Sequence, residues 1–265
     1  IVPGFPKEYA PGIWDDIGVK DELLVEGELF HLWVIEGPES LKERLPFFQT
    51  NLNVILTNNL KEFRERKVRI LNGLHTAFMP FDYLMGLRTV KESVENERIL
   101  RFHTCALNEE ILPTLEGDPD ELKAYSDEIL RRFKNPAIRH ELISISLNSF
   151  SKFKTRVLPS IIELHHVEGK LAKHLLFSLA ALICFYRGSW NDFPIELSDD
   201  PYVLEKLTEL WKTKSIAEIV SELLSDKSIW DHDLTQIPGL KERVTLNLSS
   251  IVARGVSQAL NDLLD

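Results

Sequence analysis

The chain has 265 residues, 44% hydrophobic and 27% charged, which suits one large globular domain or one domain with part of another. A net charge of −10 and a pI near 5.4 argue against general nucleic-acid binding, because the phosphate backbone requires a basic surface. The longest apolar run, at 175–186, is shorter than a membrane span. We therefore expect a cytoplasmic protein with neither nucleic acid nor membrane as a partner.

Two further features concern compartment and completeness. Cys105 and Cys184 lie far apart in apolar, helix-like contexts, so we interpret them as core thiols of a protein from a reducing compartment. The chain starts with Ile-Val-Pro-Gly, and residues 1–4 do not resemble the beginning of a domain. We expect a fragment that lacks an N-terminal part. The reason for the truncation and the oligomeric state stay open.

Residues 1–60 differ in composition from the rest of the chain, with scattered prolines and glycines. Two runs of aromatic and β-branched residues, at 30–35 and at Val54–Thr57, predict strands, and 39–48 predicts a short helix between them. This pattern indicates the end of a mixed α/β unit.

From residue 61 onward nearly every segment has a helical pattern, which predicts a mainly α domain at 61–265. Asp118-Pro119 and Asp200-Pro201 are start signals, because aspartate caps a helix and proline suits its first turn. The segment at 171–186 is the most apolar and is expected at the centre. The predicted helices are 67–86 with a kink or break at Pro80, 95–115, 119–134, 137–147, 157–165, 171–186, 201–212, Ile216–Leu224 and 239–264.

One helix carries a polar face beside an apolar one. If Lys67 is placed at zero on a regular helix, His75 falls near ~80° and Asn72 near ~140°, at about 100° per residue. A cation, an amide donor and an imidazole would then share one broad sector, while the apolar residues of the same helix face a core. This face predicts a catalytic site. The alternative is an amphipathic helix with incidental polar residues.

A second cluster of cations lies at 148–156, where the helical pattern is interrupted. Lys152, Lys154 and Arg156 follow Asn148 within a few positions. A solvated basic turn is one interpretation. Together with Lys67, the cluster becomes a candidate site for an anion or a polyol, because lysine and arginine bind carboxylates.

Several other sites are excluded by the sequence. It contains neither G-x-G-x-x-G nor G-x-x-x-x-G-K-[ST], so this chain carries no nucleotide-binding loop of its own, and no G-x-S-x-G elbow is present. His165 and His166 are adjacent rather than four residues apart, which does not suit a zinc helix. We predict no metal site.

At Lys67-x-Arg69-x-Leu71-Asn72-Gly73-x-His75 the chain resembles the K-x-R-x-L-N-G-x-H signature of the polyol-specific long-chain dehydrogenases, the mannitol dehydrogenase family. The likeness extends over essentially the whole chain. It is strongest to the uronate-reducing branch in the blocks FHLWVIEGP, RFKNPAIRHELISISLNSFSKFKTRVLP, ALICFYRG and DLTQIPGL.

The resemblance implies a fold and a cofactor. Family members have an N-terminal dinucleotide-binding domain and a helical C-terminal domain, similar to that of 6-phosphogluconate dehydrogenase, with the active site between them. Residues 1–60 would then be the tail of the Rossmann-type domain. NAD would bind mainly to the part that this chain lacks, and the choice between NAD and NADP stays open. The implied reaction is NAD-dependent, metal-independent interconversion of tagaturonate and altronate. Fructuronate reductase, mannitol dehydrogenase and a non-catalytic helical binding or oligomerisation module are the alternatives.

The resemblance also implies roles for individual residues. Lys67 corresponds to the catalytic lysine, and Asn72 and His75 to its partners at the reacting oxygen. Lys152 matches a substrate-binding lysine, and Asn148 stands where polyol enzymes have an aspartate.

Two departures from the polyol pattern bear on the substrate. The family arginine eight residues before Lys152 is Ser144 here, which together with Asn148 argues against a simple ketohexose. We therefore expect Lys154 and Arg156 to be candidates for binding the carboxylate of a sugar acid.

The residue types suit the reduction of a ketone. Hydride transfer places negative charge on the carbonyl oxygen, where an amide and an imidazole can donate hydrogen bonds. Lys67 can then deliver a proton. Acting as a base in the reverse direction would require its pKa to fall from about 10.4 to roughly 7–8. Arg69 is predicted to point away from Lys67 and to be unsuitable as the cause of that shift.

Overall fold

The computed structural model describes residues 8–25, 27–136 and 139–264. The unusual start at 1–4 lies outside these residues. The chain forms two compact units: one holds the described residues up to Arg64 with 139–140, and the other holds 65–136 and 141–264. The sequence places its boundary at 60/61, and the assignment of 1–60 to a dinucleotide-binding domain stays a prediction.

The smaller unit contains a parallel pair of strands, β1 (Trp33–Glu36) and β2 (Val54–Thr57), in register from Trp33–Val54 to Glu36–Thr57. The first strand begins at Trp33, three residues later than the sequence predicts. Before it, the backbone N–H of Asn53 donates to the His31 ring and the Asn53 side chain donates to the His31 carbonyl in place of strand pairing. The predicted helix at 39–48 is divided at Pro46 into α2 (Leu41–Arg44) and a 3₁₀ turn (Pro46–Gln49). The unit also contains α1 (Ala10–Ile17) and most of α3 (Leu60–Arg66).

The rest of the described chain is helical apart from one short hairpin, so the prediction of a mainly α fold is confirmed. Two π-helical segments interrupt the α-helices: the first π segment is Lys67–Asn72 and the second π segment is Leu107–Ile111. The α-helices are α3 (Leu60–Arg66), α4 (Gly73–Leu84), α5 (Val90–Glu95), α6 (Glu97–Ala106), α7 (Pro119–Phe133), α8 (Leu142–Ile145), α9 (Ser149–Arg156), α10 (Leu158–Glu168), α11 (Lys173–Phe185), α12 (Pro201–Thr213), α13 (Ile216–Leu224), α14 (Lys227–Trp230), α15 (Leu240–Arg254) and α16 (Val256–Leu264). Strands β3 (Ser189–Trp190) and β4 (Phe193–Pro194) form the hairpin, and 3₁₀ turns occupy Leu112–Thr114 and Leu234–Gln236.

Helix α11 forms the centre of the larger unit, as its apolar sequence predicts. All its residues from His174 to Phe185 are buried, and it packs chiefly against α4 and α15. A helix that is apolar all round is stable only when neighbouring helices surround it. None of the helices in the described chain is both long enough and apolar enough to cross a membrane.

Several helix starts follow directly from side-chain caps. Asp118 accepts hydrogen bonds from the backbone N–H groups of Asp120 and Glu121, and Asp200 accepts one from Tyr202. Ser215 forms a capping box with Glu218 at the start of α13. These bonds satisfy N–H groups that have no partner within their own helix. The starts of α7, α12 and α13 are therefore confirmed.

Other boundaries differ from the predictions. Helix α4 continues through Pro80, because the buried residues on both sides of it hold the helix in the core. Residues 139–140 are not helical, and of the predicted helix at 137–147 only Leu142–Ile145 forms, while 137–138 lie outside the described residues. The predicted helix at 239–264 is divided at Gly255, whose φ of +81° is a left-handed conformation that favours glycine.

Candidate active site

The signature stretch forms a π segment followed by α4, not one regular α-helix. In the first π segment the hydrogen bonds span five residues, as between the Gly73 N–H and the Val68 carbonyl. Angles of about 100° per residue therefore do not apply between Lys67 and Asn72. π segments occur often at functional sites, because the extra residue redirects side chains. Lys67 is exposed, Asn72 is half-buried and His75 is buried.

Arg69 holds the first π segment against its neighbours. Its Nε donates to Ser160 Oγ at 3.1 Å, and its Nη1 and Nη2 donate to the carbonyl and the hydroxyl of Thr114. Burial lowers the pKa of this guanidinium, an effect that Glu65 and Glu163 oppose. The arginine of the K-x-R pattern thus has a structural task, linking the segment that carries Lys67 and Asn72 to α10 and the turn after the second π segment.

His75 lies at the buried end of the candidate site. Its ring stacks on Phe133 with centroids 4.2 Å apart, and its Nε2 atom is shielded from solvent. A buried aromatic partner restricts how the imidazole rotates. The ring therefore has a fixed orientation on α4.

Gly73 allows α9 to approach the signature helix. A Cβ at this position would lie 3.2 Å from the backbone oxygen of Arg156, closer than most Cβ contacts allow. The Nη1 of Arg156 donates to Thr76 Oγ1 at 3.3 Å, and the Thr76 hydroxyl donates to the Asn72 carbonyl at 2.9 Å. A chain of hydrogen bonds therefore joins α9 to the backbone of Asn72.

The segment predicted as a polar interruption is a helix, and its cations point to two sides. Lys152 and Arg156 are one turn apart and share a face. Lys154 lies on another side, where its Nζ is 3.1 Å from Asp231. The structure thus brings Lys152 and Arg156 together and separates Lys154 from them.

The environments of Lys152 and Arg156 are partly desolvated. Burial lowers the pKa of Lys152, and the positive charge of Arg156 lowers it further, while Asp199 opposes both effects. Burial also lowers the pKa of Arg156. The Nζ of Lys152 donates to the Ile145 carbonyl at 3.0 Å. Because an ammonium has three donors, this bond leaves capacity for a ligand.

Asn148 stands immediately before α9 in a left-handed conformation, with φ of +54°. Its backbone N–H donates to the Ser198 carbonyl at 2.9 Å, and its side chain is exposed and makes no capping bond to the helix. Asparagine tolerates this conformation better than most residues. The geometry leaves its amide accessible.

Two supporting residues gave no signal in the sequence. Thr76 is an ordinary buried helix residue until the tertiary structure places it beside Arg156. Asp199 accepts hydrogen bonds from the Phe150 N–H and the Tyr186 hydroxyl, which anchors the start of α9 to the end of α11. Their partners are far away in sequence, so no local pattern indicates either role.

The side chains of the described residues suit a small substrate better than a metal ion or a dinucleotide. Among the described residues, no group of three or more His, Cys, Asp and Glu side chains is arranged to hold a metal ion. The donors near Lys67 and α9 suit the oxygens of a small substrate. A dinucleotide pyrophosphate typically binds at a glycine-rich turn before a helix, and the sequence contains no such motif. The residues present therefore do not fit the role of the main dinucleotide site.

Comparison with known proteins identifies the class. Residues 59–252 match the Mannitol dehydrogenase C-terminal domain, and the chain belongs to that family. The fold also matches mannitol 2-dehydrogenase of Pseudomonas fluorescens, solved as a ternary complex with NAD and D-mannitol, with a TM-score of 0.82, 23% identity and coverage of 100% of this chain and 52% of that one. D-sorbitol dehydrogenase in substrate-free form has a TM-score of 0.78 at 21% identity, covering 98% of this chain and 52% of that one.

Among curated relatives the similarity is to altronate oxidoreductases. The protein of Yersinia pestis is 41% identical over 265 residues, which are 98% of this chain and 55% of that protein. The protein of Shigella flexneri is 39% identical over 268 residues, covering 99% of this chain and 56% of the relative. The chain thus spans about half the length of the curated relatives it matches.

Proposed function

We propose that this chain is the C-terminal part of an NAD-dependent oxidoreductase that interconverts tagaturonate and altronate. The observation that carries the proposal is one local arrangement: the signature segment presents Lys67 and Asn72, and α9 packs against it at Gly73 with Lys152 and Arg156 on one face. The similarity to altronate oxidoreductases supports the choice of a sugar acid as substrate.

The proposed chemistry uses donors at a carbonyl oxygen. NADH, when bound, would supply a hydride to the ketone carbon. As negative charge develops on the ketone oxygen, the Asn72 amide and a ring N–H of His75 donate hydrogen bonds to it. Such preorganised donors lower the barrier because they are oriented before the charge appears.

Lys67 is the proposed proton carrier. As an ammonium it delivers a proton to the developing alkoxide, and as a neutral amine it accepts the alcohol proton in the reverse direction. Lys67 is exposed in this chain. The neutral form is favoured by desolvation, so the base role requires a cover over Lys67 that bound substrate and the remainder of the protein would provide.

Arg156, with Lys152, is the proposed carboxylate site. A guanidinium presents paired donors that match the two oxygens of a carboxylate. Arg156 is partly buried and oriented by Thr76, whereas Lys154 pairs with Asp231 on another side of α9. The structure therefore favours Arg156 over Lys154 among the two candidates from the sequence.

The test is NADH oxidation by the full-length protein with tagaturonate, fructuronate and fructose supplied separately. We expect the highest kcat/KM with tagaturonate. A preference for fructuronate would indicate a fructuronate reductase instead. A preference for fructose would contradict the proposed carboxylate site. No turnover with any of the three by a folded, NADH-binding protein would favour a non-catalytic module.

A further inference from the structure

A small cavity lies beside His75 in the larger unit. Its volume is about 10 Å³, and its polar lining residues are His75, Asp82, Ser93 and His103. The remaining wall is apolar, formed by residues such as Phe78 and Phe133. A space of this size is close to the lower limit for one water molecule, which needs two to four polar partners.

Asp82 and His103 are buried beside this cavity with unused hydrogen-bonding capacity. They are 1% and 2% exposed, and His103 Nε2 lies 3.5 Å from Asp82 Oδ2, which is long for a hydrogen bond. Within the described part of the chain, Asp82 Oδ1 and both ring nitrogens of His103 have no hydrogen-bond partner. Buried polar groups are normally satisfied by protein or by internal water. These atoms therefore indicate an internal water site.

The packing fixes where the His103 ring can point. It stacks on Phe78 with centroids 3.8 Å apart and planes at 10°, and it meets Phe81 edge to face. Phe78 is three residues after His75 on α4, and Asp82 is four residues after Phe78, so all three share one face of the helix. His103 thus lies along the face that connects Asp82 to His75.

We propose that Asp82 and His103 are positioning residues for His75, connected to it through one water in this cavity. The Asp82 carboxylate faces His103 Nε2 at 3.5 Å and favours a proton on that nitrogen, so His103 Nδ1 accepts a hydrogen from the water. The second water hydrogen is donated to the His75 nitrogen that faces the cavity. The proton of the neutral His75 ring then resides on its other nitrogen, because the hydrogen bond at one nitrogen sets the tautomer at the other.

The arrangement of Asp82, His103 and the cavity does not depend on the proposed function, but its expected effect on turnover does. In the proposed reaction His75 must donate, so a fixed tautomer keeps a hydrogen on the nitrogen that meets the substrate oxygen. Loss of the relay removes the hydrogen bond that favours this tautomer, so a smaller fraction of molecules is competent. Loss of the group that orients a metal-ligating histidine commonly costs about 10- to 100-fold in activity, and we expect a loss at the lower end of that range here.

A second buried acid–histidine pair provides a matched control. Glu110 Oε1 lies 2.7 Å from His174 Nδ1, and the carboxylate also accepts the backbone N–H groups of His174 and Leu175. This pair is as buried as Asp82 and His103 but does not line the cavity. Glu110→Gln therefore perturbs a buried pair without touching the proposed relay.

The test is ¹⁵N NMR of histidine-labelled full-length protein, which reports which ring nitrogen of His75 carries the proton. His103→Phe keeps an aromatic ring on Phe78 and removes both nitrogens. We expect a single tautomer of His75 in the wild type, a mixture or the opposite tautomer in His103→Phe, and the wild-type pattern in Glu110→Gln. A wild-type pattern in folded His103→Phe would overturn the proposal. If that variant does not fold, the same comparison with Asp82→Asn decides, with the same two outcomes.

Turnover separates this inference from the proposed function. The NMR measurement needs no substrate. If His103→Phe changes the His75 tautomer while the wild type is inactive toward all of the sugar substrates, the relay is retained and the proposed reaction is rejected. If the enzyme is active, kcat of His103→Phe should fall about tenfold with KM for the sugar acid nearly unchanged. A rise in KM alone would instead indicate a distorted substrate site and overturn the positioning role.

Discussion

The two π segments share the same backbone conformation, but their polar side chains lie in opposite environments. The first π segment, Lys67–Asn72, leaves an exposed lysine and a half-buried amide facing outward. In the second π segment, Leu107–Ile111, Glu110 is buried, and both its oxygens are used at the start of α11. A π segment redirects side chains in either case. What distinguishes the two is whether the redirected polar groups are satisfied inside the protein.

This comparison leads to a division of roles. The first π segment with α9 forms the proposed reactive region, where Lys67 is exposed and Asn72 is half-buried. The second π segment with α11 forms the structural region, where donors and acceptors are consumed by each other. Substitutions in the reactive region should change turnover or substrate binding, and substitutions in the structural region should change the free energy of unfolding.

The largest effect is expected at Lys67. Replacing it by alanine in the full-length protein should lower kcat by about 10² to 10⁴, the usual range for the general acid or base role proposed for it. The melting temperature should stay the same, because the side chain is exposed. Steady-state kinetics and thermal unfolding measure the two effects. Lys212→Ala, at an exposed position on α12, is the control, and equal turnover in both variants would remove Lys67 from the mechanism.

The largest loss of stability is expected at Glu110. Glu110→Ala leaves His174 and two backbone N–H groups at the start of the central helix without their acceptor. Breaking a buried ion or hydrogen-bonded pair on one side costs about 3–5 kcal/mol. Urea unfolding monitored by circular dichroism gives the free energy. A loss below about 1 kcal/mol would show that the second π segment is not the structural counterpart described above.

A smaller effect is expected at Arg156. Arg156→Met should raise KM for tagaturonate by roughly tenfold to a hundredfold, because a hydrogen bond to a charged group contributes about 1.5–3 kcal/mol. KM for an uncharged ketose should change much less. Lys154→Met is the matched control on the same helix, since Lys154 pairs with Asp231. Equal effects of the two variants on both substrates would reject the carboxylate assignment.

The smallest effect is a change in pH dependence at Tyr186, in the structural region. Burial raises the pKa of its phenol well above the usual range, and the hydrogen bond to Asp199 contributes in the same direction. The native state therefore holds its proton after the unfolded state, with a pKa of about 10, has lost it. The stability from this group is full below pH ~10 and decreases at higher pH.

Tyr186→Phe should remove this decrease and cost about 1 kcal/mol near neutral pH. Urea unfolding at several pH values from neutral to alkaline measures both effects. Tyr202→Phe is the control, because the Tyr202 hydroxyl also donates to an aspartate, Asp226, but at an exposed position. If both variants retain the wild-type decrease above pH ~10, Tyr186 is not its source.

Elements that depend on local interactions were predictable. Asp118 and Asp200 predict helix starts because a cap and its N–H partners lie within three residues of each other. Helix α11 is identifiable because a wholly apolar helix can only be central. The K-x-R-x-L-N-G-x-H pattern predicts the family, which the match at 59–252 confirms. The catalytic roles within that pattern stay predictions.

Features that depend on distant partners were decided only by the tertiary structure. Neither π segment follows from helical periodicity, and α4 passes through Pro80 because the core encloses it. The position of Lys154 opposite Lys152 and Arg156 follows from α9 being a helix, which its polar composition conceals. Arg69 contacts Thr114, which is 45 residues away in sequence, and Asp82 faces His103, which is 21 residues away. The sequence by itself determined the mainly α class, the locally capped helix starts, the family and the residue types of the candidate site. Packing decided which of those residues stay accessible and which hold the fold together, because burial removes water and forces each polar group to find a partner within the protein.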